Sequence, residues 1–201
     1  MTAIDYWLAP QSPFVYLGHE QFRAIAAEHR ATIRVRPLDP TRLFAATGGL
    51  PLGQRHPTRQ AYRLVELRRW SESRGLPMNV QPKHFPVDGA PASKLLLATI
   101  AAFGTERALD LVGVISRALW TEERDIADTD TLVALCNAIG LPGAMLMPAS
   151  LTDGIAAELD KNTDAAIAAG VFGLPTFAID GELFWGQDRL DFVARALANA
   201  G

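Results

Sequence analysis

The sequence predicts an α/β protein in which a β-α-β unit at the start and a β-β-α unit at the end enclose a long helical insertion. Residues 3–8 are a short β-prone run, and apolar residues then recur at helical spacing from residue 13 to about residue 30. Residues 32–36 alternate in polarity and meet a proline, which indicates a second strand. Near the other end, Asp180-Gly181 between two apolar runs predicts a tight hairpin.

The start of the first helix supports the N-terminal unit. Ser12 is a preferred N-cap residue, and Pro13 after it is favoured at the first helical position. Two strands joined through a helix run parallel in one sheet. Residues 3–36 therefore predict a parallel strand-helix-strand unit.

The C-terminal unit begins at a proline. Pro175 directly precedes the predicted strand 176–179, and the hairpin places a second strand at residues 182–185. Gln187 and Asp188 then lead into a final helix with one apolar face. We predict Asp188 as the N-cap of that helix, since aspartate is a preferred capping residue.

The region between the two units is predicted to be helical. The segments 50–57 and 75–91 are rich in proline and glycine and predict loops. We expect residues 1–37 and 171–201 to form one domain and residues 38–170 to form the helical insertion. The segments with helical spacing of apolar residues are 58–73, 93–103, 105–119, 128–140 and 152–169.

Length and composition limit the class of protein. The chain has 201 residues, of which 49% are hydrophobic, enough for one substantial core. No apolar run is long enough to span a bilayer, so no membrane partner is predicted. The N-terminus has neither the charged nor the apolar region of a secretory signal, and we expect a cytoplasmic protein.

Charge is distributed unevenly along the chain. Residues 34–94 contain eleven Lys or Arg and four acidic residues, a local charge of +7, so the rest of this −3 protein carries −10. A basic segment in an acidic protein steers small anions, although helical arginines also serve simply to solvate an outer face. The basic residues are not interleaved with aromatic residues, and no nucleic acid partner is predicted.

The element order is that of a thioredoxin fold, but its redox pair is missing. In that fold the first strand-turn-helix carries a C-x-x-C motif, which a later proline faces. Ser12 and Val15 stand at the two cysteine positions, so no disulfide forms there. The single cysteine, Cys136, lies on the apolar face of a predicted helix and is interpreted as a small buried hydrophobe. No metal site is predicted.

Three segments carry a resemblance to a known family, and it extends along essentially the whole chain. They are residues 12–17 (SPFVYL), 170–177 (GVFGLPTF) and 184–190 (FWGQDRL), with further similarity over residues 118–126. The sequence resembles the DsbA-like superfamily, and within it the kappa-class glutathione transferases and the 2-hydroxychromene-2-carboxylate isomerases.

The resemblance implies glutathione as the cofactor and a cis bond between Leu174 and Pro175. The Leu174 backbone would pair with the cysteinyl part of the tripeptide. The Ser12 hydroxyl and the helix N-terminus would favour its thiolate. Asp188 would meet its α-ammonium group; for Ser12 and Asp188, helix capping alone is the alternative. The residues implied to bind glutathione are Ser12, Phe172, Leu174, Pro175, Gln187 and Asp188, with Ser12 as the catalytic residue.

A pocket for a small aromatic carboxylate is implied between the two domains. Arginine suits a carboxylate because its two N–H groups pair with both oxygens. Gly49 departs from the family pattern, since many relatives carry asparagine there. Candidate carboxylate ligands are Arg42, Arg55, Arg59 and Lys83, and candidate lining residues are His84, Phe85, Trp120 and Tyr62. For several of these residues a loop or core role is the alternative.

The function implied is a glutathione-dependent isomerase in aromatic degradation. Its substrate would be a 2-hydroxychromene-2-carboxylate, converted to a trans-o-hydroxybenzylidenepyruvate through reversible addition of the thiolate. The alternatives are a kappa-like glutathione transferase or peroxidase acting on other electrophiles, and a non-catalytic thioredoxin-fold binding module. The family suggests a homodimer.

Overall fold

A computed structural model describes residues 2–200 of the chain. Its centre is one four-stranded sheet with the order β2-β1-β3-β4. The strands are β1 (Ala3–Leu8), β2 (Thr32–Pro37), β3 (Thr176–Ile179) and β4 (Glu182–Trp185). The predicted thioredoxin fold is confirmed, and each of these strands lies within one residue of its predicted position.

Strand directions follow from the connections between the strands. β1 and β2 are joined through helix α1 (Pro13–Glu28) and pair in parallel, as predicted. β1 and β3 pair antiparallel, with Tyr6 opposite Phe177 and Trp7 opposite Thr176. β4 continues from β3 through the predicted hairpin, in which both Asp180 and Gly181 have positive φ.

Helices occupy the chain between β2 and β3. None of the helices in residues 2–200 is long and apolar enough to cross a membrane. The predicted domain boundaries fall in the connections before the first and after the last of these helices. They are α2 (Pro40–Thr47), α3 (Pro57–Arg74), α4 (Ala90–Phe103), α5 (Thr105–Trp120), α6 (Thr129–Ala138), α7 (Gly143–Ser150) and α8 (Asp153–Ala168), and α9 (Leu190–Ala200) follows β4.

The structure differs from the prediction at the two short helices α2 and α7 and at the turn before α9. α2 and α7 were not predicted; α2 is capped by Asp39, whose carboxylate accepts hydrogen bonds from Thr41 and Arg42. The prediction that Asp188 is an N-cap is wrong. A 3-10 turn, Gln187–Arg189, precedes α9, and Gly186 takes the capping position with φ +108°.

A buried aromatic cluster joins the sheet to α1. The ring centroid of Tyr6 lies 5.3 Å from that of Phe177 and 4.7 Å from that of Phe22. The same tyrosine hydroxyl lies 3.3 Å from Nδ1 of His19, whose Nε2 donates to the Leu109 carbonyl at 2.9 Å. Because one nitrogen donates and the other accepts, the buried imidazole is held in its neutral form.

We expect His19 to make the protein less stable in acid. Burial lowers the pKa of His19 from 6.5 to about 4, so below pH 6.5 the unfolded chain binds a proton that the folded protein excludes. The free energy of unfolding should therefore fall by about 2 kcal/mol from pH 7 to pH 5 through this residue. Urea unfolding at both pH values measures the loss.

The His19→Gln variant is the comparison, since an amide retains hydrogen-bonding groups but does not titrate. It should be less stable than the wild type at pH 7 and show a flatter pH dependence. An equal pH dependence in both proteins would show that His19 is not the group responsible.

Candidate active site

Three segments meet at one end of the sheet. The turn 9–12 follows β1, and Pro175 directly precedes β3, which runs antiparallel to β1 with Thr176 opposite Trp7. The segment after β4 is tied to the same point, because the Gly186 amide donates to the Pro175 carbonyl at 2.9 Å. The topology therefore brings together the three segments that carry the resemblance.

Ser12 stands at the N-terminus of α1 as predicted. It is the N-cap, with extended backbone and Pro13 at the next position, but its hydroxyl makes no capping hydrogen bond. The amide N–H of Phe14 also has no partner among residues 2–200. A half-buried hydroxyl and an amide donor thus lie at the positive end of a sixteen-residue helix, an arrangement that favours an anion.

The Leu174–Pro175 bond is cis, which confirms that prediction. The Leu174 N–H and C=O make no hydrogen bond to residues 2–200, so both groups remain for an extended peptide. Phe172 is about half exposed and packs edge-on against the equally exposed Trp185, at a centroid distance of 4.7 Å. The Trp185 ring also covers Gly173, so the two rings form an apolar wall at the residue before Leu174.

Gln187 is buried and already bonded within the protein. Its side-chain Oε1 accepts from Arg74 Nε at 2.8 Å, and its backbone carbonyl accepts from the same guanidinium at 2.9 Å. A Cβ added at Gly18 would lie 2.6 Å from the Gln187 Cβ, so glycine is needed at this turn of α1. Gln187 therefore fixes the 3-10 turn against α1 and α3, and its role toward glutathione stays a prediction.

Asp188, by contrast, is exposed. Its only ion-pair partner among the described residues is the adjacent Arg189, at 3.4 Å. The carboxylate folds back over Gly186, in a position that a side chain there would block. It lies close enough to Arg74 to favour that residue's charged form, although desolvation still lowers the pKa of Arg74. Asp188 remains the acidic group suited to a ligand ammonium.

The predicted carboxylate ligands lie in different surroundings. Arg42 already pairs with Asp160 and Asp164 on α8, at 2.7 Å each. Arg59 and Lys83 are exposed and make no ion pair with residues 2–200. Their role as substrate ligands stays a prediction, but the guanidinium of Arg42 is engaged in holding α2 to α8.

Arg55, His84 and Tyr62 are also at or near the surface. Arg55 donates from Nε to the Leu50 carbonyl at 2.8 Å. His84 is half-buried, with Nδ1 3.7 Å from Asp125 Oδ2. Tyr62 is exposed.

Phe85 and Trp120 pack together, and Arg63, which was not among the predicted site residues, contacts both rings. Their ring centroids lie 4.8 Å apart, with Trp120 fully buried and Phe85 half-buried. The guanidinium carbon of Arg63 lies 5.0 Å from the Phe85 centroid and 5.9 Å from that of Trp120. Arg63 was overlooked among many arginines, yet it lies four residues before Leu67, the buried residue of α3, and so on its inner face.

Glycine at position 49 has a steric explanation. A Cβ built on it would lie 2.8 Å from Cδ1 of the Phe44 ring and 3.1 Å from the Phe44 Cβ. Phe44 therefore occupies the space in which a side chain at position 49 would begin.

A separate cavity lies away from Ser12. A groove of about 590 Å³ runs between α1 and α5 and is lined by residues that include His19, Arg23 and Arg107. Asp110 pairs with both of these arginines, at 3.0 Å each. Ser12 is not part of its lining, and the charges that line it are largely satisfied.

Cys136 is buried as predicted. Burial raises the pKa of its thiol to about 11, so the thiol is protonated at neutral pH. It is therefore not a nucleophile in the folded protein.

The sheet order, the helix that begins at Ser12 and the proline before β3 define a thioredoxin-fold protein without a redox pair. The model of the DSBA-like thioredoxin domain matches residues 3–198. The chain belongs to this family.

Comparison with individual proteins shows which members of this family the chain is similar to. The chain is 27% identical over 197 residues to the 2-hydroxychromene-2-carboxylate isomerase of Pseudomonas putida, covering 96% of this chain and 93% of that one. A solved structure of a 2-hydroxychromene-2-carboxylate isomerase superposes with a TM-score of 0.85 at 24% identity, covering 98% and 95% of the two chains. The cytosolic disulfide reductase DsbM from Pseudomonas aeruginosa, solved with GSH, gives 0.69 at 22% identity and covers 98% of each.

We expect the Gly49→Ala substitution to destabilise the protein by about 1–3 kcal/mol, because the added methyl group overlaps the Phe44 ring. Thermal unfolding measures the effect. In a Phe44→Ala background the same substitution should have a smaller effect, since the ring is gone and only the Cβ of residue 44, 3.1 Å away, remains. An equal destabilisation by Gly49→Ala in both backgrounds would show that the Phe44 ring is not the cause.

Proposed function

We propose that this protein is a glutathione-dependent isomerase acting on 2-hydroxychromene-2-carboxylate or a close aromatic relative, in the cytoplasm and as a homodimer. The observation that carries the proposal is the Ser12 hydroxyl. It lies at the N-terminus of α1 with no capping bond, at the position where redox relatives hold a cysteine. Similarity to isomerases over nearly the full chain supports the choice of reaction.

The residues present fit glutathione. The unpaired N–H and C=O of Leu174 suit the backbone of its cysteinyl residue. The exposed carboxylate of Asp188 suits its α-ammonium group. Similarity to a disulfide reductase solved with GSH supports the same assignment. When bound, glutathione supplies a thiolate that adds reversibly to an electrophilic carbon of the substrate.

The role of the chain is to hold that sulfur as an anion and orient it. The Ser12 hydroxyl and the Phe14 N–H donate to a negative charge, and the positive end of α1 favours it further. Arg74 keeps Gln187 and the following turn in place, so that Asp188 stays at its position. Ser12 acts as a hydrogen-bond donor in this scheme and forms no covalent bond.

We expect the Ser12→Ala variant to fold normally and to lose about 10- to 100-fold in kcat/KM, the effect of losing one hydrogen bond to a charged group. Without the donor, the thiolate is less favoured and the acid limb of the pH-rate profile moves to higher pH. Steady-state kinetics over pH 5–9 measure both changes. Ser73→Ala, on the exposed face of α3, is the control. Unchanged turnover at saturating glutathione would remove Ser12 from the mechanism.

Glutathione should also stabilise the protein against heat. A ligand at ten times its Kd stabilises the folded state by about 1.4 kcal/mol, which raises the Tm of a domain of this size by about 3–6 °C. S-methylglutathione should raise it less, since it has no sulfur anion for Ser12 to bind. Differential scanning calorimetry with millimolar ligand measures the shift. No shift with either peptide would favour a protein that does not bind glutathione.

Product analysis separates the isomerase from the alternative transferase. An isomerase returns its cofactor, so the concentration of free glutathione should stay constant while the chromene is converted. A transferase consumes one glutathione for each substrate. Loss of free thiol in step with substrate would reject the isomerase in favour of the transferase.

A further inference from the structure

Arg63 carries a positive charge that has no partner among residues 2–200. It is half-buried on α3, and its Nη2 atom is buried without a hydrogen-bond partner among residues 2–200. No hydrogen bond or ion pair joins its other nitrogens to the described residues. Burial lowers the pKa of Arg63 to about 10, so the side chain is still charged at neutral pH. An unpaired buried charge is costly, and an anion beside it would offset that cost.

The surroundings of Arg63 add positive charge and aromatic surface. The charge of Arg55 lowers the pKa of Arg63 further, so the surroundings of Arg63 are positively charged. Phe85 and Trp120 lie against the Arg63 guanidinium, and the Trp120 indole N–H is buried without a partner in the described chain. No carboxylate of residues 2–200 pairs with either arginine.

Two contacts join this cluster to the turn that carries Ser12. The amide of Gln11, the residue before Ser12, packs on Gly89 and leaves no room for a side chain there. Gly89 ends the loop 75–89 between α3 and α4, which also contains Phe85. On the other side, Ser116 Oγ lies 3.5 Å from the Pro10 carbonyl, one helical turn before Trp120. The segments that carry the aromatic pair therefore both contact the turn 9–12.

We propose that Arg63, with Arg55 beside it, binds the carboxylate of the aromatic substrate and so orients the substrate relative to Ser12. The guanidinium is planar and pairs with both oxygens of a carboxylate. Its position on the Phe85 ring places an aromatic surface next to the anion site, as an aromatic acid requires. This proposal rests on the proposed function for its substrate, but the carboxylate preference is measurable without turnover.

Binding of two probes by calorimetry tests the proposal. 2-Naphthoate and 2-naphthamide share a fused aromatic ring and differ in charge. The wild-type protein should bind the carboxylate about 10- to 100-fold more tightly, the effect of a charge-assisted hydrogen bond. The Arg63→Met variant should lose this preference, and Arg63→Lys should keep part of it. Arg68→Met, on the exposed face of the same helix, should bind like the wild type.

A thermal unfolding measurement separates binding from a structural role. Arg63→Met should melt at the wild-type temperature or above it, because an unpaired charge is replaced by an apolar side chain of similar length. Arg63→Gln is a second variant that tests the same preference if the methionine protein does not fold.

A carboxylate preference that survives loss of the arginine overturns the proposal, and so does a wild-type protein without any preference. A preference that depends on Arg63 supports it. If glutathione-dependent turnover of the chromene is then absent, the proposed reaction fails while the anion site stands.

Discussion

The antiparallel register between β1 and β3 is the constraint on which the site depends. Because Trp7 lies opposite Thr176, the turn after β1 and the proline before β3 emerge at the same end of the sheet. A slip of one residue would turn every side chain of β3 to the other face. The stacked rings of Tyr6 and Phe177, buried on one face of this pair, oppose such a slip. The position of Ser12 at this end of the sheet is thus fixed by packing in the core.

Two halves of the chain contribute different chemistry to the site. The thioredoxin half supplies groups that suit a peptide with an anionic sulfur: the Ser12 hydroxyl, the Leu174 backbone and the Asp188 carboxylate. The helical half supplies arginines and aromatic rings. The hydrogen bonds from Arg74 to Gln187 and the packing of Gln11 on Gly89 join these two parts of the chain at two points and fix the relative position of the two sets.

The sequence allowed the sheet and the start of α1 to be predicted because their signals are local. Alternating strands, the Asp180-Gly181 turn and a serine followed by proline each determine backbone geometry within a few residues. α7 escaped prediction because it begins at Gly143 and contains Pro148, both unfavourable in helices, and is held by tertiary packing instead. The start of α2 could have been predicted from Asp39, a preferred N-cap residue, followed by Pro40.

The anion site was harder to foresee for a physical reason. Position on a helix face can be inferred from spacing, and Arg63 shares the face of Leu67. Whether a buried arginine has a carboxylate partner depends on segments far away in the chain, here the loop with Phe85 and the end of α5. The turn before α9 was also hard to predict. A 3-10 turn precedes α9, and Gly186, not Asp188, takes the N-cap position.

The protonated, buried state of Cys136 has a practical consequence. Peroxides and alkylating reagents attack thiolates, and the one sulfhydryl of this polypeptide is shielded and has a high pKa. At the position of the redox pair this chain has the hydroxyl of Ser12, which reagents of this kind leave intact. In the folded protein, thiol-directed reagents at neutral pH therefore meet no reactive cysteine.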